Sequence, residues 1–204
     1  MNLAPKRDYF NGIADQWDGF PAPPDTADMT ARFVALAVPE QAERILDVGC
    51  GTGILVPLLR ASGNAPRHLV ELDLAERMLA QSRLKSGGRP EVMHVCAAAQ
   101  SLPFAPATFD VALCFNALPH LTPIDTTLRA VLACLRPGGL LSVCHLMGSS
   151  ALNSFHAAMG GVVAGDHLPS AEHLGAMLRR LNCEIGRCED TPGWYLVQAL
   201  KLAQ

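Results

Sequence analysis

The stretch Arg44-Ile45-Leu46-Asp47-Val48-Gly49-Cys50-Gly51-Thr52-Gly53-Ile54-Leu55-Val56 decides the fold. Five residues of strand character run into three closely spaced glycines, and the apolar residues behind them open a helical pattern. A strand that ends in glycines and feeds a helix lets a ligand approach the backbone, with N–H groups at the helix start turned toward it. The third glycine falls at Gly53, giving Gly-x-Gly-x-Gly, whereas the dinucleotide fingerprint places it one residue later, where Ile54 stands. That spacing argues against an NAD-dependent oxidoreductase. No Gly-Lys-Ser/Thr follows, so a P-loop is excluded. Asp47 puts a carboxylate beside the loop, which suits a cationic amino-acid group better than a pyrophosphate.

Outward from this loop, short β-type runs alternate with helical periodicity. Strands are expected at 44–48, 68–72, 91–96, 109–115, 139–145, 184–188 and 194–200, and helices at 27–37, 53–61, 75–84, 124–135 and 171–181. Alternation of this kind predicts an α/β fold: a doubly wound, mostly parallel seven-stranded sheet covered on both faces. The last two runs have no helix between them and read as an antiparallel hairpin closing one edge. Asp25 or Thr26 is expected to cap the helix after Pro23-Pro24, and Ser170 the one after Pro169. Pro137-Gly138-Gly139 stops a helix and turns the chain into a strand. The whole chain, 1–204, reads as one domain with two additions. One is segment 1–25, a lid helix over 6–18 with a Pro-rich tail; the other is an insert over 148–169 that forms part of a substrate pocket.

Composition bounds the partners. The chain has 204 residues, half of them hydrophobic and 17% charged. Its mean hydropathy is +0.20, which leaves disorder out. No apolar run reaches the roughly 18 residues a membrane-spanning helix needs, and the start of the chain lacks the apolar core of a signal peptide. The expected compartment is the cytoplasm, without stable membrane insertion. A net charge of −3 and no basic cluster argue against nucleic acid. The seven cysteines form no Cys-x-x-Cys pair and sit mostly in apolar runs, as reduced thiols do. Cys183 and Cys188 could pair, though their spacing does not require it.

The second element of the site is Asp73, at the end of the second strand and 26 positions after Asp47. An acid there can accept hydrogen bonds from both ribose hydroxyls, or it can cap the helix that begins at Ala75. Both readings stay open from the residues themselves. The sequence then becomes specific. Asp47-Val48-Gly49-Cys50-Gly51-Thr52-Gly53 is followed by Glu71-Leu72-Asp73-Leu74-Ala75-Glu76-Arg77-Met78-Leu79. Next come Ser101-Leu102-Pro103-Phe104, Thr108-Phe109-Asp110-Val111 and Leu135-Arg136-Pro137-Gly138-Gly139. In this order and spacing the chain resembles the class I S-adenosylmethionine-dependent methyltransferases, and within them the quinone-biosynthesis C-methyltransferases and their small-molecule relatives.

The resemblance implies S-adenosylmethionine as cofactor and assigns residues to it. Gly49, Cys50, Gly51 and Gly53 would carry its methionine part along the backbone, and Asp47 would fix the amino group through water. Asp73 would hold the ribose, Leu74 and Met78 would border the adenine, and Asn116 would lie beside the sulfonium. The family usually places an aspartate before the Leu-Pro-Phe element to accept from the adenine amino group. Here Cys96-Ala97-Ala98-Ala99-Gln100 puts Ala98 at that position. One lost hydrogen bond costs about 0.5–1.5 kcal/mol, and the backbone of Ala98 and Ala99 or the Gln100 side chain can take over part of the role. In similar proteins an N-terminal helix closes over the cofactor, which would bring in Trp17. Tyr9, Ile13 and Trp17 recur every four residues and share one helix face.

Methyl transfer from a sulfonium is an in-line displacement in which positioning and desolvation supply much of the rate. A base is needed only where the acceptor must lose a proton. His120 and His145 follow the fourth and fifth strands and are the catalytic candidates; for His120 the competing reading is a histidine that caps or packs under the helix starting near Pro123, whereas His145 is expected to reach the pocket. With Asn153, His156, Asp166 and His167, His145 could form a polar cluster for substrate. Their separations match no compact metal motif, so no metal is expected. Gly160-Gly161 and Gly165 would let the insert move as a lid. The expected function is transfer of a methyl group from S-adenosylmethionine to a small, partly apolar organic acceptor. The alternative is a non-catalytic S-adenosylmethionine- or S-adenosylhomocysteine-binding module with a decayed adenine site.

Overall fold

The computed structural model describes residues 2–61 and 65–203. Its elements, in chain order, are α1 (Ala4–Ile13), α2 (Thr26–Ala37), β1 (Arg44–Val48), α3 (Val56–Ala61), β2 (His68–Asp73), α4 (Glu76–Ser86) and β3 (Val92–Cys96). The second half comprises β4 (Phe109–Phe115), α5 (Ile124–Cys134), β5 (Leu135–His145), α6 (Ser149–Met159), α7 (Ala171–Arg180), β6 (Cys183–Thr191) and β7 (Trp194–Lys201).

Successive side chains of a strand point to opposite faces, so a strand apolar at both parities must be covered twice. In β1, Ile45 packs with Phe33, Leu55 and Leu59 of the α2–α3 layer, whereas Leu46 and Val48 pack with Leu128, Leu174 and Leu178 of the α5–α7 layer. The same division runs through β2, β4, β5 and β7. The sheet order is β3-β2-β1-β4-β5-β7-β6. All strands from β3 to β5 pair in parallel, and β7 is antiparallel to both β5 and β6. The chain order reverses between β1 and β4. In open α/β sheets that reversal opens a crevice outside the strands' carboxyl ends, and the glycine loop after β1 lies at its edge.

Several local boundaries differ from the sequence reading, each for a stated cause. The helix expected at 53–61 begins only at Val56, because Gly49, Gly51 and Gly53 all take positive φ (+73°, +56° and +76°) and turn the chain before it can wind. The helix expected over 6–18 ends at Ile13 and continues as a 3-10 helix, Ala14–Gly19. β5 starts at Leu135 rather than Gly139: Leu135 pairs with Phe109, and the Pro-Gly-Gly turn sits as an irregularity within the strand. Ser170 caps α7 by accepting from the His173 N–H at 3.2 Å. Neither Asp25 nor Thr26 caps α2 through its side chain. All seven cysteines are free thiols, and Cys183 and Cys188 lie on the same strand, β6.

The amino ends of the strands are held by a clamp remote from the crevice. Asp110 Oδ2 accepts from the backbone N–H groups of Glu43 and Arg44 at 2.9 and 2.8 Å, and Oδ1 accepts from Arg136 Nε at 2.6 Å. Burial pushes this carboxyl up, but Arg136 and the two N–H groups together hold it below the usual carboxylate range. Asp110 and Arg136 both belong to the motifs that carry the family resemblance, and here they brace the fold. Among the described residues, no helix is long and apolar enough to cross a membrane.

Candidate functional site

The crevice is a cavity of about 730 Å³, its open mouth included. Its floor is made of strand ends and loops. Gly49 and Gly51 supply backbone, Asp73 stands at the end of β2, and Leu74, Ala75 and Met78 lead into α4. A Cβ at Gly51 would meet nothing within 4 Å, so the hydrogen-only side leaves the backbone bare toward the cavity. Of the two roles that the sequence left open for Asp73, its protein partners show the one at the start of α4. Its Oδ1 accepts from the Ala75 N–H at 2.8 Å and sets the entry to α4, while Oδ2 accepts from the Gly51 N–H at 2.9 Å and clasps the glycine loop. Each oxygen keeps a further lone pair for a ligand.

Three residues expected at the cofactor lie behind this floor and do not line the cavity. Gly53 is packed on α4, where an added Cβ would run into the Ser82 side chain, 2.9 Å from its Cβ. Cys50 is buried, and burial raises its thiol pKa well above the ordinary value. Asp47 is 1% exposed. It sits directly across from Glu71 on β2, which in turn faces His94 on β3. Ser82 Oγ donates to Glu71 Oε2 at 3.1 Å and lies 3.1 Å from His94 Nε2. Burial, reinforced by the neighbouring charges of Glu71 and Asp73, pushes Asp47 well up, and burial raises Glu71 to about 7. Two carboxyl groups so close in a dry site share a proton rather than ionise together. Glu71 lies inside β2 between buried Val70 and Leu72; a charged residue inside a buried strand was the available signal, and the sequence reading gave it no role.

The wall beyond α4 comes from 97–100 and from the turn after β4. Ala98, Ala99 and Gln100 all border the cavity. Ala98 offers no carboxylate, and Gln100 Nε2 is engaged with the Thr122 carbonyl at 2.8 Å, which leaves its Oε1 for a ligand. Asn116 takes positive φ (+52°) and also lines the cavity, but its Oδ1 accepts from the Leu146 N–H at 3.0 Å and ties β4 to β5.

The roof is α1 with the 3-10 helix behind it. Leu3, Lys6, Arg7, Phe10 and Trp17 face the cavity. The face turned inward therefore carries Leu3, Lys6, Phe10 and Trp17, whereas Tyr9 and Ile13 do not line the cavity. Phe10 was missed in the sequence; its ring lies edge-on between Trp17 (5.9 Å) and His120 (5.1 Å). The roof is moored to α4 and the glycine loop: Asn11 Oδ1 accepts from the Arg77 N–H, Asp15 pairs with Arg77, and Asp18 binds Thr52 Oγ1 at 2.7 Å and Lys85 Nζ at 2.8 Å.

Of the two histidines expected to act, one reaches the cavity. His120 lines it, and its Nδ1 lies 2.6 Å from Asp166 Oδ2. Lys6 of α1 binds the other Asp166 oxygen, so Asp166 joins the roof to the post-β4 turn. His156 Nδ1 donates to the Asp166 carbonyl at 3.0 Å, and its ring centroid is 5.0 Å from that of His120. His145 does not line the cavity. It is 2% exposed, packs edge-on against Tyr195 at 5.8 Å and leaves Nε2 without a partner among the described residues. Burial, with smaller contributions from His120 and His156, pushes it down to about 3, so it is neutral and packs as a core ring. Asn153 and His167 pair with each other at 3.1 Å, and Asn153 also brackets Leu168. Of the polar cluster expected around the insert, Asp166 reaches the cavity-lining His120 with His156 behind it, Asn153 and His167 shape the 148–169 segment, and no residue of that segment lines the cavity itself. Among the described residues, no group of three or more His, Cys, Asp or Glu is placed to hold a metal ion.

Known proteins match this architecture. The model of the methyltransferase domain family matches residues 46–143, which span the glycine loop, Asp73, the 97–100 wall and β5 to Val143. The ubiquinone biosynthesis O-methyltransferase of Xanthomonas campestris pv. campestris is 31% identical over 183 residues, 84% of this chain and 68% of that protein. Demethylmenaquinone methyltransferase of Clavibacter sepedonicus is 36% identical over 116 residues, and the chain spans about half the length of several such relatives (45% of this one). A chain of the solved complex between the Haloferax volcanii Trm112 methyltransferase activator and a methyltransferase superposes with a TM-score of 0.82 over 97% of this chain and 98% of its own, at 16% identity. The chain belongs to the class I S-adenosylmethionine-dependent methyltransferases and is related to the quinone-biosynthesis branch. S-Adenosylmethionine is the cofactor of that family.

The residues present fit the group. The bare Gly51 backbone, the Asp73 carboxylate and the apolar Leu74–Met78 side would hold its amino-acid end, its ribose and its adenine in one cavity. When bound, the cofactor supplies an electrophilic methyl group on sulfur.

Proposed function

We propose that this protein transfers the methyl group of S-adenosylmethionine to a small, partly apolar organic acceptor, held under the α1 roof beside His120. The observation that carries this reading is the division of one cavity between a glycine-and-aspartate floor and a roof of Phe10, Trp17 and Leu3, with His120 where they meet. Phe155, Met159 and Val162, on α6 and the turn after it, are half-exposed large apolar residues in the segment that Lys6 binds through Asp166 and the Val162 carbonyl. Exposed apolar surface in a segment tied to the roof favours an acceptor with an apolar body. Relatives named as O-methyltransferases and a demethylmenaquinone methyltransferase support small ring-bearing acceptors.

The part played by the chain follows from the geometry. The floor fixes the donor, and the Phe10–Trp17 roof excludes water from the sulfonium. Exclusion of water strengthens the attraction between an electron-rich acceptor and the cationic donor. The test is acceptor-dependent formation of S-adenosylhomocysteine from a fractionated metabolite extract, with the methylated product identified by mass spectrometry. Tight binding of S-adenosylmethionine with no acceptor-dependent turnover in any fraction would instead support a binding module.

A further inference from the structure

We propose that Lys6, Asp166 and His120 form a general-base assembly, with His120 as the catalytic base, and that the acceptor is a hydroxyl compound whose O–H proton passes to His120 Nε2. This inference rests on the methyl-transfer reading above and narrows its substrate class. Asp166 accepts from His120 Nδ1 at 2.6 Å. That bond holds the hydrogen on Nδ1 and leaves the Nε2 lone pair to act as base. Nε2 carries no hydrogen bond to the described residues, while His120 borders the cavity.

The three residues come from separate elements: α1, the turn after β4 and the segment before α7. Arg7 of α1 and Asp73 of β2 line the same cavity as His120, and three groups act on its charge directly. Asp166 favours its protonation, whereas Lys6 on α1 and His156 on α6 oppose it, and His145 of β5 lies behind, neutral. Burial is the largest influence and keeps His120 below its ordinary value, so it is a neutral base at pH 7; Asp166 stays ionised between His120 and Lys6. Lys6 and Asp166 are positioning residues: the first closes the roof onto the carboxylate, the second sets the tautomer.

The step balances. The acceptor O–H bond breaks and its proton moves to Nε2. An oxygen lone pair forms the new O–C bond to the methyl carbon. The C–S bond breaks with its pair going to sulfur, giving neutral S-adenosylhomocysteine, a methyl ether and an imidazolium that replaces the lost sulfonium charge. An amine with a free lone pair, or a thioether, needs no such base before attack.

The experiment uses three probes with one apolar body: 2-naphthol, 2-naphthylamine (an arylamine, neutral at pH 7) and 2-(methylthio)naphthalene, each with S-adenosylmethionine and the full chain. Naphthol is expected to be the methylated probe, with kcat/KM rising with pH to a plateau. His120→Ala and His120→Gln are expected to lose about 10²–10⁴-fold while binding S-adenosylmethionine as wild type does. Asp166→Asn should lower the pH of the rising limb, and Lys6→Met should raise it; a purely structural role would not move the limb in opposite directions. Nitrogen NMR of His120 is expected to show the Nδ1–H tautomer, changed by Asp166→Asn. Failure to turn over naphthol, preferential methylation of the amine or thioether, or a limb indifferent to both variants would overturn the assembly. Loss of S-adenosylmethionine binding by wild type would defeat the methyl-transfer reading itself.

Discussion

The floor and the roof of the cavity are built by opposite means. The floor is local: Gly49, Gly51 and Asp73 sit at the ends of two adjacent parallel strands, joined by the Gly49 and Cys50 N–H groups to the Leu72 carbonyl and by the Gly51 N–H to Asp73. Its shape comes from backbone torsions that only a few residue types accept. The roof is assembled from distant segments, through Lys6 to Asp166, Asp18 to Lys85 and Phe10 against His120. Its shape comes from side chains that many sequences could replace. A site of this kind can keep one donor while its acceptor side changes, because the two halves share few residues.

The largest effects should come from separating glycines that look alike in sequence. Gly53→Ala combines positive φ with a clash on Ser82. About 1–2 kcal/mol for the left-handed backbone and a further 1–3 for overpacking predict a fall in Tm of several degrees or more, seen by calorimetry. Gly51→Ala has the same torsional cost but open space around its Cβ, so its Tm should fall less while S-adenosylmethionine affinity falls by tenfold or more. Equal Tm losses, or equal losses of affinity, would erase the distinction between packing glycine and ligand glycine.

Behind the floor, the Asp47–Glu71 pair makes stability depend on pH. Glu71 titrates near 4.5 when unfolded and about 7 when folded. The folded state therefore binds more protons, and the stabilisation is complete below about 4.5 and is lost as pH rises through about 7. Glu71→Gln removes that titration; it should leave Tm higher than wild type above pH 7 and flatten its slope between pH 5 and 8. A wild-type Tm that does not decline through this range would show that the pair holds no extra proton.

A smaller effect tests the wall. Ala98→Asp restores the acid that the family usually carries and should tighten S-adenosylmethionine binding by up to about tenfold, from one added hydrogen bond. No gain in titration calorimetry would mean that Gln100 or backbone groups already satisfy the adenine amino group.

The same contrast explains what could be read in the sequence. The α/β alternation, the sheet with its antiparallel hairpin and the glycine loop followed from local pattern, because strand parity and glycine spacing act over a few residues. Asp73 was legible for the same reason. The tight placement of Gly53 on Ser82 was not, since it depends on the approach of α4. Phe10 was not legible either, because it stands beside Tyr9, off the Tyr9–Ile13–Trp17 stripe that the four-residue spacing picked out. His120 was legible as a candidate, but its partner was not: Asp166 lies 46 positions away and Lys6 further still. His145 shows the reverse error. Its place at a strand end suggested the cavity, and the pleat turned its ring against Tyr195 instead.

The most direct test of the central claim is titration calorimetry of the purified protein with S-adenosylmethionine, S-adenosylhomocysteine and NAD, repeated on Asp73→Ala. One-to-one binding of both sulfur ligands, none of NAD and at least a tenfold loss in Asp73→Ala is the predicted result. Undetectable binding of both sulfur ligands at millimolar concentration, or affinity unchanged in Asp73→Ala, would contradict the placement of the donor on this floor.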